Sequence, residues 1–560
     1  VGSTRIRIRT KNAGTTCGSP CGLASDGEVE DYTVIINRAS NIWQGNTANW
    51  STASNWSKVY VPTSSFNITI PSTPAGGNFP EISLSTSATC NNLTIESGAN
   101  VKVYGSLTVN GILTNNAGTS GLVVKSDASG TGSLIANTSN VQATVERYLT
   151  GGKWHLFGAP VANQTANALF FNHNPDVWLK TYLESTDSWS ATISDMNTPL
   201  PMGKGFAVWV KTGFNATASF KNQLNNSDFS ITGLTYSGSS YGYNLVANPF
   251  ASAIDWDQGS WVRTNLDGSV WVYDPIGKNY KTRNSVGAGN LTEGIIPSSQ
   301  AFFVRATSPN GAITVPANAR VPSNISFYKN GDNTQEDNTD FTVAAIEVSK
   351  ESKKDETWFI FNEVCSDGLD NGWDVSKFFG DADAPQLYAV ENGQYLSIDA
   401  LPALNKERVV LLNFQAGEDG RHYLSLKKYE NFDGEEIWLE DLKDEVWQDL
   451  TQSQEYAFDG YTLDNPDRFL LHFNPRITGI GQNAESRYSI YSWNKSVYVE
   501  SPDNTSNTAV EIVDMYGRII YKGLLKPASL NKIDLNLSNS YLIVRLTGSG
   551  NVSVQKIFIH

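Results

Sequence analysis

CNNLTIESGANVKVYGSLTVNGILTNNAGTSGLVVKS, residues 90–126, carries five three-residue alternations, LTI, VKV, LTV, ILT and LVV, each set off from the next by Gly, Asn or Ser. Side chains alternate across a strand, so a strand this short has two residues to bury and cannot hold a core alone. Stacked as successive rungs, the same strands line a continuous apolar interior. The stretch predicts a short β-helix, or β-solenoid, and the spacing extends over residues 38–148. Its leading segment NIWQGNTANWSTASNWS, residues 41–57, brings Trp43, Trp50 and Trp56 close together. These indoles either cap the open end of the solenoid or present a platform for stacking sugars.

Downstream, residues 149–337 read as a duplication. GGKWHLFGAPV (151–161) matches YGYNLVANPF (241–250), and each copy is followed by an aromatic strand, VWLKTY at 177 or VWVYDP at 270. Each then closes alike, with PLPMGKGFAVWVKT (199–212) and IIPSSQAFFVRAT (295–307). Pro160 and Pro249 lie 89 residues apart, the size of a small β-unit, so the stretch is a tandem pair or one pseudo-symmetric domain. Residues 338–475 hold about half of the chain's 56 acidic side chains against 11 Lys and Arg, yet alternate in RVVLLNF, RHYLSLKKY, EIWLEDL and RFLLHF. That pattern predicts an acidic, jelly-roll-like β-sandwich. EDLKDEVWQDL could instead form a short helix. The last 75 residues, 486–560, supply about seven short strands and predict a small C-terminal β-sandwich. The fold class expected is all-β and multidomain.

Composition narrows the function. A net charge of −15 opposes binding to nucleic acid or an anionic membrane, and no run approaches the roughly 18 apolar residues of a spanning helix. Abundant Gly, Ser, Thr and Asn with three Met fit extracellular β-structure. Of four cysteines, Cys17 and Cys21 in CGSPCG are close enough to form a loop disulfide. A zinc site lacks further ligands nearby, and Cys90 and Cys365 read as buried small hydrophobes. Val1 opens no signal peptide, and the expectation is an exported protein whose N-terminal part is missing.

Few motifs suggest chemistry. GSSYG, 238–242, fits G-x-S-x-G with Ser240, but a Gly/Ser loop entering a strand is not the strand-to-helix elbow that nucleophile needs. The five histidines form no close pair; His422 and His472 sit in strands, and His155 and His173 in separate segments. Paired carboxylates for glycoside cleavage are invisible in sequence. CSDGLDNGWDVSKFFGDADAP, 365–385, concentrates acids, and Asp367, Asp370 and Asp374 are the candidate calcium ligands. The competing reading is a loop whose Asp side chains cap backbone NH groups while Trp373 and Phe378 pack into the sandwich. Calcium is the one cofactor for which the sequence leaves room.

GEVEDY, Gly27 to Tyr32, resembles the closing motif of the GEVED domain of secreted bacterial proteins, and residues 1–37 would be the tail of one. Glu28, Glu30 and Asp31 there could bind calcium or simply form a solvated turn. The Asp-rich 365–385 pattern looks like a loop common in the β-sandwich preceding export modules, a resemblance that favours the capping reading. The terminal module resembles the type A C-terminal sorting domain of the bacterial type IX secretion system. Val513 and Asp514, Gly517 and Arg518, Tyr541, Gly548 and Lys556 carry the match. Ser540 stands where the family usually has glycine, and His560 extends its usual apolar ending. The resemblance implies as partners the type IX translocon, its outer-membrane shuttle protein and a surface sortase-like peptidase. It also implies release or lipopolysaccharide anchoring at the cell surface, with a cut placed in the 476–486 loop.

The function expected is that of a non-enzymatic, adhesin-like secreted or cell-surface protein exported by the type IX route, whose ligand is a polysaccharide or a surface receptor. The alternative is the accessory region of a secreted hydrolase with its catalytic domain upstream of residue 1; a third is a self-associating filament subunit.

Overall fold

The computed structural model describes residues 2–10, 29–36, 40–170, 176–238, 241–323, 341–474, 488–493, 495–500, 508–514, 518–527, 530–535, 537, 540–548 and 551–559. The chain is all-β and forms two compact units, Val1–Arg476 and Ile477–His560. Among the described residues helix is confined to short turns, and no helix is long and apolar enough to cross a membrane.

The three-residue alternations do stack. Asn41–Ile42, Ile68–Ile70, Leu93–Ile95 and Leu113–Asn115 form one parallel face. A second contains Glu81–Ile82, Val101–Val103 and Leu122–Val124, and a third Ser87–Cys90, Ser106–Val109 and Ser133–Ala136. Several strands turn two aliphatic side chains inward, as in Ile68/Ile70 and Val101/Val103, which are at most 1% exposed. Parallel strands buried this way need covered ends. Trp43, Trp50 and Trp56 supply one cover: their rings meet edge to face at 4.8 and 5.0 Å and are at most 1% exposed. The sugar-platform reading of these indoles is thereby corrected, since no ring face is left open. At the other end Gln142–Thr150 joins the parallel stack and also pairs antiparallel with Asn215–Gln223 over nine residues. The solenoid and the first duplicated unit accordingly share one apolar core.

The sequence duplication is a duplication of topology. In the first copy Phe206–Val210 lies between Lys153–Phe157 and Val177–Lys180; in the second Ala301–Arg305 lies between Tyr243–Ala247 and Val270–Asp274. The copies also trade equivalent bonds. Gly158 NH donates to Ser299 O at 3.1 Å, and its counterpart Ala247 NH donates to Gly203 O, the counterpart of Ser299, at 2.9 Å. Bridges Phe157 to Gln300 and Val246 to Lys204 repeat the crossing. Two glycines permit it: a Cβ on Gly158 would stand 2.3 Å from Ala247 Cβ, and one on Gly205 2.5 Å from Leu245 Cγ. The stretch is one pseudo-symmetric body.

The strands of the acidic region lie in a single 11-stranded sheet rolled around Phe359, Leu412, Phe458 and Phe473. Its two end strands, Val446–Asp449 and Glu455–Gly460, are linked by only five residues, so the edges are drawn together. Buried Arg468 fastens them, reaching Asp441 at 2.7 Å, Asp444 at 2.9 Å and Asp459 O at 2.9 Å. EDLKDEVWQDL is a hairpin within this sheet, with Glu436–Asp441 paired to Val446–Asp449, because Trp438 and Leu439 alternate across it.

Among the described residues the C-terminal unit has seven strands. Ser489–Trp493, Ser496–Glu500 and Leu530–Asp534 form one sheet; Ile519–Leu524, Ala509–Asp514, Ser540–Gly548 and Asn551–Ile559 form the other. Val497, Ile512, Val544 and Ile559 fill the space between them.

Candidate functional site

Two places gather the sequence-predicted residues. In the C-terminal unit Ala509–Asp514 ends beside the start of Ser540–Gly548, with Asp514 opposite Leu542. Asp514 closes the turn there: its Oδ1 accepts Arg518 NH at 2.9 Å and its Oδ2 pairs with Arg518 Nε at 2.6 Å. At the same end Lys556 Nζ lies 4.2 Å from the Tyr541 ring centroid, and Phe558 stands 4.8 Å from it. Asp514 with Arg518 and Tyr541 with Lys556, scattered over 43 positions, thus form two separate contacts at one end of one sheet. Gly548 is at the opposite end, paired with Asn551 where the last two strands turn. Gly517 and the 476–486 loop lie outside the described residues, as do Cys17, Cys21, Glu28, His173 and Ser240.

The second place is the Asp-rich loop. Asp370 Oδ2 accepts Ser366 NH at 2.6 Å; Asp374 Oδ2 accepts Asp370 NH at 2.6 Å, and its Oδ1 accepts Ala400 NH at 2.7 Å. Asp367 instead pairs with Arg408 at 2.7 Å. The three carboxylates are spent on separate partners, and among the described residues no group of three or more His, Cys, Asp or Glu side chains is placed to hold a metal ion. Asp370 and Asp374 thus make the backbone contacts that the capping reading describes.

The loop is also a clasp. Phe378 stacks on Tyr243 at 4.2 Å and meets Tyr280 and Phe303 at 4.5 and 4.7 Å, so it enters the aromatic core of the second repeat. Trp271 Nε1 donates to Ser376 O at 3.1 Å, Asn284 Nδ2 to Trp373 O at 2.8 Å, and Tyr273 Oη to Asp381 Oδ1 at 3.1 Å. Ser285 NH reaches Gly372 O at 3.2 Å. Gly372 has φ +85°, and a Cβ there would stand 2.6 Å from Ser285 Oγ. Beneath the loop, Lys377 Nζ is buried against the Asp355 carboxylate, which also accepts Leu387 NH at 2.6 Å. Burial lowers the Lys377 ammonium pKa despite that partner.

A buried carboxyl lies nearby. Asp399 is 2% exposed and its Oδ2 has no hydrogen-bond partner. Burial, then the charges of Asp374 and Glu391, push it up to about 8, while burial pushes Asp374 up to about 6. At the repeat junction Glu184 accepts Ser237 NH, Ser237 Oγ and Gly242 NH, each at 2.8 Å. His155 is buried with Nε2 against Thr150 O, and burial pushes it down to about 4. Cys90 and Cys365 are buried and free, their thiols pushed up by burial to about 12 and about 11.

The family profile described as "Domain of unknown function (DUF8693)" matches residues 42–275 and 269–473. The chain belongs to this family. Solenoid, repeats and rolled sheet all fall within the DUF8693 span, and both the clasp and Glu184 lie inside it. A GEVED domain match covers residues 1–35. There Asp31 is held in a two-pronged pair with Arg7 at 2.7 and 2.8 Å, and that hydrogen bond lowers its pKa. A curated relative, the minor fimbrium subunit Mfa5 of Porphyromonas gingivalis, is 24% identical over 581 aligned positions, which cover 93% of this chain. The chain spans 46% of that relative's length. Two solved structures are aligned at low similarity: the BSP domain of a biofilm-associated protein (10% identity, 78% of this chain and 98% of that one, TM-score 0.18) and a Ca2+-stabilised ice-binding adhesin of an Antarctic bacterium (9%, 74% and 93%, TM-score 0.11). At those TM-scores neither bears on the fold.

Sequence reasoning passed over Glu184, Asp355 and Arg468 in the DUF8693 region. Arg468 showed only as a charge ahead of FLLHF, with partners up to 27 residues away, and Asp355 in KKDE and Glu184 in YLESTD carried no local signal.

Proposed function

We propose that this chain is a structural, adhesin-like segment of a secreted or cell-surface protein, and that its C-terminal unit directs export through the type IX secretion system. The carrying observation is that the β-bodies of the DUF8693 region are joined by built contacts: the crossed repeats, the Glu184 junction and the clasp. A stalk that presents surface needs such joints. Likeness to a minor fimbrium subunit supports placement at the cell surface.

The export reading rests on Asp514, Arg518, Tyr541 and Lys556 sharing one sheet end, a folded feature an outer-membrane shuttle protein can dock against. A sortase-like peptidase acting in the 476–486 loop then releases or anchors the protein. The test is secretion of a fluorescent protein fused to residues 476–560, with and without the last ten residues, from cells that carry the system. Export of the intact fusion alone is expected. Retention of both forms overturns the export reading and leaves the structural one standing.

A further inference from the structure

Along each strand of the rolled sheet one side-chain set enters the core, and the other should be polar if it meets only water. Six neighbouring strands depart from that rule: Val446–Asp449, Glu436–Asp441, Phe469–Asn474, Arg408–Gln415, Gln386–Glu391 and Gln394–Leu401. Their core-facing residues include Leu439, Leu471, Leu412 and Leu396. On the opposite face, cross-strand pairing sets Trp447 against Glu440 and Glu440 against Leu470. Leu470 then opposes Leu411, and Val390 opposes Tyr395. The strip so formed is open: Trp447 is 50% exposed, Tyr395 48%, and Val409, beside His472 in the next row, 48%.

The charges on that face are of one sign. Five of the six strands contain no Lys or Arg, and the one in the sixth, Arg408, is bound to Asp367. Glu436, Glu440 and Asp449 lie on that face, in step with Trp447. Glu436 and Glu440 stand beside the aromatic rings, accepting Trp438 Nε1 at 2.8 Å and contacting His472 Nε2 at 2.9 Å. An apolar centre with a single-sign rim fits a partner of the opposite sign. A second copy of this chain would bring like charges together.

We propose that this face docks a cationic protein segment, one whose apolar side chains alternate with Lys or Arg. The apolar strip supplies contact area and the carboxylates select the sign. The inference does not depend on the route of export.

The probe is a fluorescein-labelled (Lys-Leu)6 peptide titrated into the full chain by anisotropy, beside (Glu-Leu)6. The Lys peptide is expected to bind at least tenfold more tightly than the Glu peptide, and more weakly as salt rises. Trp447→Ser with Tyr395→Ser, or Glu436→Lys with Asp449→Lys, should weaken it at least tenfold with the melting temperature kept. Val262→Ser, an exposed apolar position on another sheet, should not. Undetectable binding, equal binding of both peptides, or unchanged binding by the folded double variants overturns the proposal. So does sedimentation showing self-association that Trp447→Ser abolishes.

Discussion

Asp399 and Glu184 are both buried carboxylates, with opposite dependence on pH. Asp399 has a folded pKa raised to about 8 by burial and like charge. Its protonated form is favoured in the fold, so its contribution is complete at low pH and is lost as pH rises through about 8. Asp399→Asn should therefore change little at pH 3, below the unfolded carboxyl pKa near 4, and stabilise the chain by about 4–6 kcal/mol at pH 9, measured by denaturant titration. For Glu184, burial raises the pKa, but the hydrogen bonds from Ser237 and Gly242 outweigh it and leave it below the usual value. That stabilisation is present above the unfolded pKa and is lost as pH falls through the folded one. Glu184→Gln should cost about 1–3 kcal/mol at pH 7 and flatten the acid limb of the stability curve. Lys377 and Asp355 form a buried pair, so Lys377→Met alone should cost about 3–5 kcal/mol by urea denaturation. Lys377→Met with Asp355→Asn, which removes both charges and keeps an acceptor for Leu387 NH, should recover most of the loss. Sequence showed that Asp residues crowd positions 367–383 but not what they do. Asp381 finds Tyr273 from 108 residues away, and proximity of that kind leaves no local pattern.

Elements were more legible than partners. A period of two marks a strand wherever one face is buried, so the solenoid rungs and the strands of the C-terminal unit could be read directly. The rolled sheet was legible strand by strand but not as one sheet. Lys353–Phe361 and Gln394–Leu401 pair in parallel, and nothing in either strand's own alternation announces the neighbour. The clasp illustrates the same limit: Phe378 reads as a core residue, but its core includes Tyr243 and Phe303 of the second repeat as well as the sheet. Phe378→Ala should cost about 3–5 kcal/mol. Hydrogen exchange would rise in Tyr243–Ala247 and Ala301–Arg305 as well as in the loop. A change confined to the loop would show that the clasp does not couple the two bodies.

At the scale of the molecule, the crossed bonds between the repeats set what can unfold alone. Gly158→Ala forces a methyl against Ala247 in the other copy, so both copies should lose stability together, by about 1–3 kcal/mol in one calorimetric transition. Two separated transitions would mean that each copy stands by itself. The trade has a historical reading too. When two copies of a protein exchange the same contact in both directions, the arrangement is an isologous dimer. Placed in one polypeptide by gene fusion, such a dimer becomes a body whose halves cannot drift apart or meet the wrong mate. An ancestor of this region carrying one repeat would have needed a twin to cover Gly158 and Gly203, and the present chain carries that twin within itself.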